Sequence, residues 1–342
     1  MYSEADLDQA VSAGVLPAAV ATDFRNHVAA LRATPAVDEE HFRLITGFND
    51  IFVSIAIVLM LVAVAQIGAQ AAGWLAPALV AGTAWGLAEY FTARRRMALP
   101  SILLLLAFSG GVAATISLAI LPLMEGASDR TQALAGAGVA AITAAATWLH
   151  WRRFRVPITV AAGAASLVAV VVALIIAAFP NEDRLVWPLL LAGGVAVFAY
   201  AMWWDLSDRE RRTRRADVAF WLHLAAAPMI AHSTFQLLGV FSDEIGTGTA
   251  VTVMALYVLF ALVALAVDRR ALLVSSLVYV LYAMYALIRT TGAVELSAAF
   301  TALVIGSALL SLSAFWQPIR ARVVERLGDW QDRLPPAQLR AR

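Results

Sequence analysis

Apolar residues run along this chain in long blocks and not in alternation. Ten stretches close to bilayer length follow one another with short polar connections: 51–70, 74–92, 99–122, 132–150, 156–179, 186–204, 218–240, 248–267, 271–289 and 295–315. An α-helix rises about 1.5 Å per residue, so roughly 20 apolar residues cross a hydrocarbon layer about 30 Å thick. Spanning β-strands would instead show segments of about ten residues with alternating polarity. The runs at 102–120 and 159–179 are continuous, so helices are predicted. The pattern describes an all-α, polytopic membrane protein with ten transmembrane helices.

The two ends lack such blocks. Ser3 and Asp6 stand at capping-box spacing, which predicts a helix through Asp8 and Val11 that Gly14 stops. Pro17 suits the first turn of a second helix over 18–32, with Val20, Phe24, Val28 and Leu31 at helical spacing before Thr34–Pro35 breaks it. So short a segment seldom buries enough surface to stand alone, and it is expected against the membrane surface or a partner. No basic stretch leads into a short apolar core, so the first block, from Ile51, is expected to stay as an anchor. After Trp316, Ile319, Val323, Leu327, Trp330 and Leu334 recur among arginines up to Pro335–Pro336. This spacing predicts an amphipathic helix lying in the interface. The expected organisation is a helical cytoplasmic segment (1–48), a ten-helix membrane domain (49–315) and a basic amphipathic tail (316–342).

Charge gives these helices a direction. All 25 basic residues are arginines. Every second connection holds a cluster: Arg94–Arg96, then Arg152, Arg153 and Arg155, then five between Arg209 and Arg215, then Arg269 and Arg270. The tails add nine, and the other connections hold only Arg130, Arg184 and Arg289 beside seven acidic residues. Positive residues near span ends stay cytoplasmic, so both termini are predicted cytoplasmic and the span count even. The clusters at 93–107, 150–164 and 267–281 each precede a new span, which reads either as a faint parallel repeat or as the charge rule alone. The chain is 61% hydrophobic and 14% charged, with mean hydropathy +0.77, against about 45–50% and about 25% for soluble domains. A net charge of +1 argues against a nucleic-acid partner, and the lack of cysteine excludes disulfides and thiolate metal sites. The all-arginine basic set, with abundant Ala and Val, suggests a GC-rich bacterial genome and hence the bacterial inner membrane.

Candidate chemistry is sparse, since ionisable groups inside a bilayer are costly and therefore mark function by default. No Asp or Glu lies near the middle of a predicted span. Glu89 lies about one turn from a span end, where Arg94, Arg95 or a neighbouring helix would pair with it. Asp50, Asp205 and Asp217 stand at span ends, where hydration or capping accounts for them. The richest span is 216–239, with His223, Pro228, His232 and Gln236. Pro228 frees a carbonyl and predicts a kink. His232 and Gln236 share a helix face, suited either to hydrogen bonding with a neighbouring helix or to lining a polar cavity. His223 and His232 stand nine residues apart, about 13 Å along a helix axis, and cannot chelate one ion. With no further His read in a span core, neither a metal site nor a cofactor is expected. No P-loop, GxSxG, HExxH or paired catalytic carboxylates occur, so no enzyme is expected.

The prologue "SEADLDQAVSAGVLPAAVATDF", the long series of spans and the segment "DVAFWLHLAAAPMIAH" together resemble a group of uncharacterised bacterial integral membrane proteins. In these a short helical N-terminal segment precedes many transmembrane helices. The resemblance implies layout and no activity. The expectation is a non-enzymatic scaffold or partner-binding component of the inner membrane, touching lipid and a membrane or cytoplasmic protein. The alternative is a transporter or channel for a neutral or lipid-like solute.

Overall fold

The computed structural model describes residues 4–24, 48–180, 182–208, 211, 213–240, 247–290, 303, 306–328 and 334. Residues 1–43 form a unit of their own. In it α1 runs Glu4–Ser12. Gly14 ends it at φ +71°, with the Val15 amide donating back to the Ala10 carbonyl at 2.9 Å. Only glycine adopts that left-handed turn without steric cost. Residues 18–24 are helical, inside the second predicted helix, while Ser3, Val28, Leu31, Thr34 and Pro35 lie outside the described residues.

The second unit begins at Leu44. Its elements are α2 Phe48–Ala71, α3 Leu75–Ala88, α4 Ala98–Ile120, α5 Asp129–Phe154, α6 Ile158–Ala178, α7 Val186–Leu206, α8 Arg214–Leu237, α9 Thr247–Val267, α10 Ala271–Thr290 and α11 Trp316–Arg326. Every regular element among the described residues is helical. Six helices are long and apolar enough to cross a membrane: Asn49–Ala71, Ala98–Met124, Asp129–Phe154, Ile158–Ala178, Val186–Leu206 and Arg214–Leu237. The chain is a multi-pass helical membrane protein. The predicted span over 74–92 is divided, because α3 ends after 14 residues and passes into a π-helix, Glu89–Arg94. Of the predicted span over 295–315, residues 295–302, 304 and 305 lie outside the described residues, and 303 and 306–314 are helical.

One helix carries the packing. Half of the apolar window of α8 is buried, against 11–22% in the other five, so α8 is enclosed by protein where its neighbours face lipid. On one side Val218, Leu222 and Ala226 pack with Ala161 of α6 and with Val197 and Ala201 of α7. On another, Ala227, Ala231 and Phe235 pack with Val253 and Phe260 of α9 and with Leu272 and Val280 of α10. A Cβ on Gly194 of α7 would stand 3.1 Å from the Ile230 backbone nitrogen and 2.9 Å from Met229 Cβ. Glycine is what lets these two helices approach so closely. Gly111 acts likewise between α4 and α3, whereas Gly110, Gly136 and Gly138 face open space.

The arginine-bearing turns share a backbone device. Among the described residues, Arg96, Arg155, Arg211 and Asp268 are the non-glycine residues with positive φ, at +54°, +55°, +53° and +59°, and one stands in each such turn. A left-handed residue after a helix lets the next amide return to an orphan carbonyl. At the α9–α10 turn the Arg269 amide reaches the Ala264 carbonyl, five residues back, at 2.9 Å. At the α3–α4 turn the Met97 amide reaches Phe91, six back, at 3.1 Å, since the π-helix adds one residue to the coil.

The tail does more than lie at an interface. Its helix α11 buries Trp316, Arg320 and Val324. Trp316 joins Ala264, Leu265 and Leu273 in a cluster that Ile319 and Val323 extend. The amphipathic periodicity is real, but its apolar face meets the α9–α10 turn.

Candidate functional site

Among the described residues, a buried polar cluster lies where the end of α7, the start of α8, the α9–α10 turn and α11 converge. Asp205, in the last turn of α7, is 1% exposed, which corrects the expectation of a hydrated span end. Arg269 donates from Nη2 to Asp205 Oδ1 at 2.6 Å and from Nε to Oδ2 at 3.3 Å. The same Nη2 reaches the Ala216 carbonyl at 3.3 Å. The His223 Nε2–H donates to Asp205 Oδ2 at 2.9 Å, while Phe198 presses edge-on against the His223 ring. Three ionisable side chains are thus closed on one another, as burial away from water requires.

Asp268 is the second hub. As the left-handed residue of its turn, it holds its carboxylate between three neighbours. Trp316 Nε1 donates to Oδ1 at 2.8 Å, Arg211 Nη1 to Oδ2 at 3.0 Å, and Arg320 Nε stands 3.5 Å from Oδ1. Arg211 Nη2 also caps the Val267 and Asp268 carbonyls, each at 3.3 Å. Two carboxylates therefore hold together two turns and the tail helix. The sequence signal for this was present but ambiguous. Asp205, Asp268 and the arginines stand at span ends, where topology alone explains charge.

The predicted site residues disperse among separate contacts. His223 belongs to the Asp205 hub. His232, further along α8, hydrogen-bonds through Nδ1 to the Tyr279 hydroxyl of α10 at 2.6 Å and meets the Trp187 ring edge-on. Of its two readings, bonding to a neighbouring helix is the one displayed. Gln236 stands one turn further on, half-buried. The α-helix runs on through Pro228. Beyond it, the Ser233 and Thr234 hydroxyls turn back to the Met229 and Ile230 carbonyls. Glu89 opens the π-helix and pairs with a neighbouring helix and not with Arg94 or Arg95. It accepts from Arg153 Nε at 2.9 Å and Nη2 at 2.5 Å.

One residue escaped the sequence reading, which placed no further His in a span core. His150 is fully buried in α5, hydrogen-bonded through Nδ1 to Thr159 Oγ1 at 3.3 Å. Phe108, Phe154 and Trp85 surround its ring with centroids at 5.6, 4.6 and 6.0 Å. It stood at the assumed end of its span, beside Arg152 and Arg153, and α5 in fact continues to Phe154.

The arrangement provides interhelical fastening through two carboxylate hubs, one histidine–tyrosine bond and one enclosed imidazole. No protein-family model, curated protein or solved structure matches the chain.

Proposed function

We propose that the chain is a ten-span component of the bacterial inner membrane, with both termini cytoplasmic, that acts without catalysis as a scaffold or partner-binding protein. The observation that carries this reading is the use made of its buried charge. Asp205, His223 and Arg269 are closed on one another, and Asp268 is engaged by Arg211, Trp316 and Arg320. Charges engaged in this way fasten helices, where a coupled carrier would need them to gain and release an ion or proton.

Two measurements test the proposal. The chain has no cysteine, so single cysteines placed at Arg130, Arg152 and Arg184 report sidedness against a clean background. Arg152 should be labelled from the cytoplasmic side, and Arg130 and Arg184 from the other; any other partition overturns the topology. Isolation of the tagged full chain from native membranes should yield a stoichiometric protein partner. Purified chain that alone moves a neutral or lipid-like solute into liposomes would replace the scaffold with a transporter or channel.

A further inference from the structure

We infer that α11 is a strap with two seats. One is the α9–α10 turn, where the structure holds it, and the other is a bilayer surface rich in acidic phospholipid, onto which it moves. This requires a membrane surface beside the α9–α10 turn and is independent of the scaffold reading and of the sidedness of the termini.

The seat on the turn is chosen by polar contacts rather than by the apolar face of the helix. Successive residues of an α-helix turn by about 100°, which sets Ile319, Val323, Trp316 and Leu327 within an arc of about 80°. Burial driven by apolar area alone would centre that arc on the contact. The buried residues are instead Trp316, Arg320 and Val324, so Arg320 stands at the middle of the covered face, about 60° from the middle of the arc. Ile319 and Val323 stay partly exposed beside the cluster, and Leu327 is 39% exposed. One carboxylate accounts for the offset. Asp268 Oδ1 accepts from Trp316 Nε1 at 2.8 Å and stands 3.5 Å from Arg320 Nε, while the Arg270 guanidinium lies 4.7 Å from the Trp316 ring centroid.

The same helix also fits a second environment. Arg320 and Arg326 flank the apolar arc, each about 60° from its middle, with Arg322 beyond Arg326. An apolar arc bordered by arginines on both sides is the form of a helix that lies in an interface, its basic heads reaching the headgroups. The turn uses one border and leaves Arg322 and Arg326 exposed. From Trp316 onward the chain has six arginines against three acidic residues, so the surface that draws it is acidic and not zwitterionic. Trp316 and Arg320 belong to both faces. They cannot meet Asp268 and the headgroups together, so the two seats exclude each other. Departure would uncover Ala264, Leu265 and Leu273, now 0, 3 and 5% exposed, and leave Asp268 to Arg211.

The chain has no cysteine, so spin labels on Glu325→Cys and Val274→Cys, both exposed positions, report the distance between α11 and α10 in the full chain. In phosphatidylcholine bilayers one short distance should dominate. Bilayers of equal parts phosphatidylglycerol and phosphatidylcholine should add a second, longer distance, which high salt should shrink in population. Arg326→Gln, which the seat on the turn does not use, should leave the first distance unchanged. It should cut the ratio of second to first about fivefold, the weight of one basic residue at an acidic surface. Asp268→Asn, which weakens the seat on the turn, should raise that ratio. An unchanged distance in acidic bilayers overturns the inference. So does a second population of equal size in phosphatidylcholine or in Arg326→Gln, or a ratio that falls in Asp268→Asn. Both labelled positions and Arg326 are exposed, so these variants should fold, and unchanged thermal unfolding checks that.

Discussion

Two arginine-bearing turns of similar sequence meet opposite fates. In the α3–α4 turn, Arg94, Arg95 and Arg96 are exposed. In the α9–α10 turn, Arg269 is 5% exposed, and Arg320 of the tail that covers it is 1% exposed. Both turns carry a left-handed residue, Arg96 in one and Asp268 in the other. The difference lies in the acids supplied nearby. Asp205 and Asp268 stand within hydrogen-bonding reach of the second turn, whereas Glu89, beside the first, is taken by Arg153 of another helix. The same charge that orients a span at one turn becomes interior fastening at the other, and a carboxylate decides which.

The most severe way to break this contrast is to strand a charge. Asp205→Ala leaves Arg269 buried without its partner, so it should cost about 3–5 kcal/mol. Loss of folded protein in detergent measures this. Asp205→Leu combined with Arg269→Leu removes both charges and should recover most of that loss; a double variant as unstable as the single one would show that the hub does more than balance charge. Trp316→Phe keeps the packing but deletes the bond to Asp268, at about 1 kcal/mol, and should speed proteolysis of the tail. Tyr279→Phe removes the bond to His232, and hydrogen bonds between membrane helices average about 0.6 kcal/mol; a far larger drop in unfolding temperature would give His232 a weightier role. Smallest of all, Arg152→Gln on the exposed side should leave stability within about 0.5 kcal/mol. A large effect there would erase the distinction between the two turns.

The helical, multi-pass character was legible because a helix needs about 20 apolar residues to cross the hydrocarbon layer, and six helices have that length and composition. Nine of the predicted blocks correspond to described helices, with ends displaced by a few residues. The division at Glu89 was not legible, since a π-turn has the composition of the helix it interrupts. His223 and His232 were singled out as polar residues of α8, yet their partners come from other helices. Asp205 precedes His223 by 18 residues and Tyr279 follows His232 by 47. Spacing within one helix cannot register contacts made by the packing of several. Arg269 and Arg320 were concealed differently, because the charge rule had already accounted for them and left nothing unexplained.

The closure at Met97 differs from that at Arg269 by a single residue, six positions against five. In register, the α3–α4 turn is the α9–α10 device with one residue inserted before it. Deleting any one residue within 89–94 would restore ordinary coiling and swing the whole preceding face of α3 by about 100° relative to its turn. Ala84 and Ala88 would then leave Ile57 and Leu104, which they now touch. The chain can therefore accept substitutions in this segment far more readily than a change in its length.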